Sequence, residues 1–304
     1  MSDTPPFHTD ITAGDWIDRL LLPWARPYAR LMRLDRPIGT WLLLLPCWWG
    51  VALAGGAIPA IWFFILFAIG AVVMRGAGCV INDIYDRSFD RQVERTRMRP
   101  LASNEIKLWQ ALVFLTVLLL LGLGVLVQFD RFTIWLGISS LLLVFTYPLA
   151  KRITWWPQLV LGLAFNWGAL MGWSAMHGAV GWPSLWLYAA GIFWTLGYDT
   201  IYAHQDKRDD QLIGIKSLAL KLGEKSKIWV AGFYGATLLC LLISGFVANS
   251  GLGFYIFLCG AMAHVIWQVS SWILDDPANC LRRFQSNRDF GLIVLAAIMI
   301  GKLF

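Results

Sequence analysis

Charge is what this sequence has least of. Of its 304 residues only 14% are Asp, Glu, Lys or Arg and four are histidine, against 58% apolar content and a mean hydropathy of +0.61. Soluble domains carry about a quarter charged residues, so a water-soluble protein is excluded. The five cysteines (Cys47, Cys79, Cys240, Cys259, Cys280) lie scattered, mostly in apolar runs and without a CxxC pair, which excludes a disulfide scaffold and a thiolate zinc site. No P-loop, dinucleotide fingerprint or Ser/His/Asp arrangement is found, and disorder and a collagen-like chain are excluded by the composition.

What is there is a series of long apolar runs. They are too long and too uniform for the alternating strands of a barrel, so the expected fold is all-α, a polytopic membrane bundle whose helices satisfy their own backbone hydrogen bonds in lipid. Roughly 20 apolar residues cross the hydrocarbon layer. On that measure nine spans are expected, at residues 38–56, 60–81, 109–127, 131–149, 157–177, 183–203, 228–248, 252–274 and 290–304, the last short for a full crossing. Trp48, Trp49, Trp155, Trp156, Trp182 and Trp186 fall near span ends, as in an interfacial aromatic belt.

Lysine and arginine set the sidedness, since the loops on one side of a bilayer carry the positive excess. Of 25 such residues, 22 fall before the first span or after the second, fourth, sixth and eighth. All chemistry should therefore face that side, and the connections on the other side are short and nearly uncharged. Residues 1–18 have no apolar core and four aspartates, which disfavours a cleavable signal or a transit peptide. The expectation is a multi-pass protein of a bacterial inner (plasma) membrane, with its amino terminus and site facing the cytoplasm. Residues 1–36 read as a cytoplasmic segment with an amphipathic stretch (Trp16 to Arg33) on the membrane surface, and residues 37–304 as a single transmembrane domain. The net charge of +6 suits anionic lipid, and neither nucleic acid nor an obligate protein partner is expected.

Two acidic clusters stand at span ends. The first reads N-D-I-Y-D-R-S-F-D; at 100 degrees per residue Asn82, Asp86 and Asp90 fall within about 80 degrees, with Asp83 at about 100. The second reads D-T-I-Y-A-H-Q-D-K-R-D-D and brings Asp199, Tyr202, Asp206 and Asp210 onto one face in the same way. Such side chains near hydrocarbon are costly, so their clustering argues for a compensating cation. Hard carboxylate and amide oxygens without a His or Cys cage suit Mg2+, and two facing clusters would hold a diphosphate between metal ions. The competing account is a solvated charge run pairing with Arg87, Arg91, Lys207 and Arg208. Arg75 lies seven residues before Asn82, about 10 Å deeper and within about 20 degrees of it, so its guanidinium faces the same cavity and could take a carboxylate. The competing account makes it an internal partner for Asp83 or Asp86. A third polar element, Tyr147 to Arg152, brings Lys151 and Arg152 to the same side, while His204 reads as incidental.

The two motifs resemble those of the UbiA superfamily of intramembrane prenyltransferases. Further stretches, R-L-D-R-P-I-G-T-W from Arg33, R-M-R-P-L from Arg97 and Y-P-L-A-K-R-I-T-W-W-P-Q from Tyr147, resemble its 4-hydroxybenzoate polyprenyltransferase branch of ubiquinone synthesis. The resemblance implies nine helices around a central cavity with a cytoplasmic cap. It implies Mg2+ and diphosphate ligands at Asn82, Asp83, Asp86, Asp90, Asp199, Asp206 and Asp210. It implies diphosphate contacts at Tyr147, Lys151, Arg36 and Tyr202, and Arg75 at the aromatic carboxylate. The implied substrates are polyprenyl diphosphate and 4-hydroxybenzoate in the lipid bilayer, with Asp199 or Asp206 as the base. Alternatives are another acceptor (homogentisate, a naphthoate, a chlorophyllide or haem) or a secondary transporter, which the one-sided clustering of the acids disfavours.

Overall fold

The computed structural model describes residues 11, 14–55, 60–93, 96–205, 207, 211, 216–274 and 276–303, except for the side chains of 147, 148 and 151. Among the described residues there is no strand. The helices are α1 (Trp16–Leu20), α2 (Arg26–Leu31), α3 (Ile38–Ala54), α4 (Ile61–Asp90), α5 (Leu108–Leu126), α6 (Arg131–Ile153), α7 (Pro157–Phe165), α8 (Trp167–His177), α9 (Trp182–Ala203), α10 (Leu218–Leu222), α11 (Ser226–Val247), α12 (Leu252–Ser270), α13 (Pro277–Gln285) and α14 (Asn287–Ile300).

Helix occupies each stretch where a span is expected. Among the described residues five stretches are long and apolar enough to cross a bilayer: α4, α5, α7 with α8, α10 with α11, and α12. Residues 38–54 and 131–146 are apolar but shorter. The last helix, α14, has 14 residues, about 21 Å of helix against a hydrocarbon layer of about 30 Å.

The chain forms two compact units, residues 1–39 with 70–125, and residues 40–69 with 126–304. In the first, Leu31, Ala77, Val80, Leu101, Ile106, Ala111 and Leu118 make the buried apolar cluster, with Tyr28, Met32 and Phe114 packed on it. The turn after α4 is fastened to that helix by two arginines one turn apart. Arg87 donates to Leu101 O (3.3 Å) and Asn104 Oδ1 (2.9 Å), and Arg91 to Ala102 O (3.1 Å) and the same Asn104 oxygen (2.5 Å). Asn104 takes a left-handed backbone, φ 64°, which asparagine tolerates better than most residues.

In the second unit Trp49 is fully buried, donating from Nε1 to Gly291 O (2.8 Å) and lying 5.0 Å from the Trp194 ring. It therefore belongs to the core and not to the expected belt, because its one polar atom finds a carbonyl inside the protein. Trp182, 70% exposed, does lie at the surface. The backbones of α3 and α8 meet at glycines. A Cβ on Gly172 would lie 2.8 Å from Val51 N and closer still to Cys47 O, and one on Gly50 would lie 2.9 Å from Trp173 N. Only hydrogen atoms fit there, as at the small-residue interfaces of other membrane helices.

The expected single span at 157–177 is two helices broken at Asn166. The break is tolerated in apolar surroundings because Asn166 Nδ2 donates to Gly162 O and Thr195 Oγ1, each at 2.8 Å, inside the protein. Helix α6 starts where Asp130 accepts from Phe132 N (2.9 Å) and Thr133 N (3.2 Å), and the Thr133 hydroxyl sits 2.8 Å from Ser174 Oγ. Burial raises the Asp130 pKa, but the hydrogen bonds from Thr133 and Phe132 outweigh it and hold the carboxyl below the usual carboxylate range.

Candidate active site

The first acidic cluster occupies the last three turns of α4 and is buried: Asp83 is 1%, Asp86 6% and Asp90 7% exposed, with Asn82 half-buried. At about 0, 40, 80 and 100 degrees for Asn82, Asp86, Asp90 and Asp83 all four lie on one face of the helix, and what packs against them separates two stripes. Asp83 and Asp90, seven residues apart, share one, and Asn82 and Asp86 share the other.

The Asp83 and Asp90 stripe is met by two arginines from outside the motif. Arg33 Nη2 lies 2.7 Å from Asp83 Oδ1. Arg99 Nη1 lies 3.0 Å from both oxygens of Asp90 and 3.6 Å from Asp83 Oδ1. Asp83 Oδ2 is buried without a hydrogen-bond partner. Arg87 and Arg91, the cations nearest in sequence, hold Asn104 and the carbonyls of Leu101 and Ala102. The solvated charge run anticipated as the competing account is therefore not how these acids are arranged. Sequence reasoning missed Arg33 and Arg99 as partners of the cluster. The available signal was the need of any buried carboxylate for a cation.

On the other stripe, Arg75 lies two turns deeper on α4. Its guanidinium covers Gly39; a Cβ there would stand 2.8 Å from Nη2. Between Arg75 and Asn82 sits Gly78, where a Cβ would meet no atom within 4 Å. Arg75, Gly78, Asn82 and Asp86 thus follow one side of α4, which is open at Gly78. Arg36 pairs with its neighbour Asp35, Nε to Oδ2 at 3.0 Å. Burial pushes the Asp35 carboxyl above the usual carboxylate range, against the pull of the Arg36 and Arg33 charges.

In the second unit Asp199 and Tyr202 lie half-buried on the last turns of α9. Tyr202 packs 4.6 Å from the Phe284 ring of α13, which also lies 5.8 Å from Tyr198. His204 is buried, with Nε2 2.9 Å from Ser226 Oγ and its ring edge-on to Trp272 at 5.2 Å, a structural placement consistent with the incidental reading. Asp206 and Asp210 lie outside the described residues, as do the side chains of Tyr147 and Lys151.

Among the described residues no group of three or more His, Cys, Asp or Glu side chains forms a ready metal cage. Mg2+ takes one or two carboxylates and fills the remaining positions with water and substrate phosphate. The amide of Asn82 and the carboxylate of Asp86 are donors of that kind.

Among the described residues the chain is all-helical, with apolar helices long enough to cross a membrane and buried acids gathered at the end of α4. Residues 43–293 match the UbiA prenyltransferase family, and the chain belongs to that family. It is 48% identical over 298 residues to the mitochondrial 4-hydroxybenzoate polyprenyltransferase of Arabidopsis thaliana, covering 97% of this chain and 73% of that one. With the mitochondrial 4-hydroxybenzoate polyprenyltransferase of Homo sapiens it shares 51% over 282 residues, covering 91% and 76%. Among solved structures, a UbiA homolog from Aeropyrum pernix superposes with a TM-score of 0.71 at 23% identity, covering 87% of this chain and 96% of that one. A UbiA homolog from Archaeoglobus fulgidus bound to GPP and Mg2+ gives 0.70 at 20%, covering 90% and 98%. These structures share the fold.

The relatives' names correct the expected location. They are mitochondrial enzymes, which points to a mitochondrial membrane and away from a bacterial inner membrane. The reason for the miss is physical: a Lys and Arg excess tells one face of a bilayer from the other and carries nothing about which bilayer it is.

Proposed function

We propose that this chain transfers the polyprenyl group of a polyprenyl diphosphate to the ring carbon of 4-hydroxybenzoate meta to its carboxylate, releasing diphosphate, as a step of ubiquinone biosynthesis. The observation that carries this reading is identity of about one half, over more than nine-tenths of the chain, with enzymes named for that reaction. The buried acids at the end of α4, with an arginine below them on the same side of the helix, support it.

The carbon–oxygen bond of the allylic diphosphate ionises when the negative charge growing on the leaving group is stabilised. Asn82 and Asp86, with Asp199, Asp206 and Asp210 of the second motif, would hold Mg2+, which when bound neutralises the diphosphate. Lys151, Arg36, Tyr147 and Tyr202 contact the same group. Arg75 receives the carboxylate of the aromatic acid through its fork of N–H donors, which directs the carbon ortho to the hydroxyl toward the allylic cation. After the carbon–carbon bond forms, Asp199 or Asp206 takes the ring proton and aromaticity returns. Apolar walls keep water from the cation, and the prenyl tail remains in lipid, where each buried CH2 contributes about 0.8 kcal/mol. The scaffold for this chemistry is nine spans around a central cavity beneath a polar cap, with residues 1–36 on the membrane surface ahead of one domain of residues 37–304.

The direct test is a product assay in isolated membranes with 4-hydroxybenzoate, Mg2+ and prenyl diphosphates of several lengths, read by mass. A prenylated acid is expected only when Mg2+ is present. Transmembrane flux of a solute with no prenylated product would instead favour transport. Arg75→Ala should raise KM for the aromatic acid by at least tenfold, the weight of one charge-assisted pair of roughly 1.5 to 3 kcal/mol, and change KM for the diphosphate less than twofold. Equal changes in both would remove Arg75 from the carboxylate site.

A further inference from the structure

The first motif offers four carboxylate or amide side chains, but the structure uses them unequally. Both oxygens of Asp90 accept from Arg99 Nη1 at 3.0 Å, and the same nitrogen stands 3.6 Å from Asp83. Arg33 holds Asp83 from the other side at 2.7 Å. All four side chains are largely withdrawn from solvent, with 12% or less of each exposed. Asp83 and Asp90 are thus each engaged by an arginine, so a divalent cation at Asp90 would compete with Arg99 for its oxygens.

The backbone at Arg33 carries independent evidence that its guanidinium is used. Helix α2 ends in a Schellman arrangement: Leu34 N donates to Ala29 O (3.1 Å) and Arg33 N to Arg30 O (3.0 Å). Arg33 occupies the left-handed position of that turn with φ 60°, where glycine is the easy residue and a side chain is strained. The strain is retained at the residue whose guanidinium reaches Asp83.

We propose that Arg99, seconded by Arg33, is a positioning element for this site: it takes Asp83 and Asp90 out of the ligand set and uses them to pin the last turns of α4, so that Asn82 and Asp86 keep their direction. Asp86 lies three residues after Asp83 and four before Asp90, between the two pinned points. The segment carrying Arg99 is tied to the same turns by Arg87 and Arg91 through Asn104, so the ladder also closes the loop after α4. This rests on the reading of Asn82 and Asp86 as ligand-holding residues, and its first test is independent of that reading.

The test is a mutant cycle on the full chain in detergent, following thermal unfolding in EDTA and then turnover in Mg2+. Without metal, Arg99→Gln and Asp90→Asn should each lower the unfolding midpoint by roughly 5 °C or more, because each strands a buried partner. The double variant should lose clearly less than the two losses combined. Below those midpoints, each single variant should lose at least tenfold in kcat per folded molecule, the double should be no worse than the poorer single, and Arg99→Lys should recover part of the loss.

If Asp90→Asn leaves the midpoint in EDTA unchanged and removes a rise produced by Mg2+, Asp90 is a metal ligand and the proposal fails. Unchanged turnover per folded molecule in Arg99→Gln also overturns it, leaving a merely structural ion pair. Should the single variants not fold, the exchanged pair Asp90→Arg with Arg99→Asp must restore folded yield, or the ladder does not exist. Activity surviving Asp86→Ala would defeat the functional reading and leave the metal-free cycle standing.

Discussion

Asp86→Ala should yield a protein that inserts and folds but makes product at least a thousandfold more slowly, with no recovery at saturating Mg2+. Removing one preorganised electrostatic group that meets developing charge costs about 10²- to 10³-fold, and here the group lost is also a ligand for the ion that neutralises diphosphate. The fold should survive because the arginines of the neighbouring stripe keep their own acids. Arg33 and Arg99 are held by Asp83 and Asp90. Product mass measured in membranes, with protein quantified by blot and by thermal unfolding in EDTA, separates loss of chemistry from loss of protein. Near-normal turnover would remove Asp86 from the site. Asp83→Ala is expected to differ, reducing folded yield as well, because it strands Arg33.

Gly172→Leu should abolish folded yield. The site has no space even for a methyl group, since Cys47 O and Val51 N are backbone atoms that no rotamer change can move. Helix α8 would have to separate from α3, and the core around Trp49 would open with it. Gly172→Ala should already lower the unfolding midpoint in detergent. The matched control is Gly232→Ala on α11, where a Cβ meets no atom within 4 Å. The same chemical change there should be neutral or stabilising by up to about 1 kcal/mol, since alanine favours helix over glycine. Equal midpoints for the two alanine variants would contradict the close approach of α3 and α8.

Much of this architecture can be read before any coordinates. Apolar runs placed spans at 60–81, 109–127 and 252–274, where helices run 61–90, 108–126 and 252–270, because spanning lipid is a one-dimensional demand on consecutive residues. Spacing put Asn82 and Asp86 together because a helix has one period. Asn166 shows the limit of such reading: the run at 157–177 is apolar enough to read as one helix, and the break depends on Thr195, a residue of another helix. Gly172 is likewise silent in the sequence, since which backbone a glycine admits depends on the helix packed against it. Trp49 belongs to the core because of a carbonyl 242 residues away.

From the amino-acid order alone came the helical class, the membrane setting, the family resemblance and the two acidic motifs, since each depends on local composition or on a repeat along one helix. The tertiary structure decided how the first motif is divided. Whether a buried carboxylate faces a ligand or a guanidinium depends on what the rest of the chain brings within about 3 Å of it, and Arg33 and Arg99 reach Asp83 and Asp90 from 50 and 9 residues away. Periodicity assigns a side chain to a face; it does not say what stands opposite.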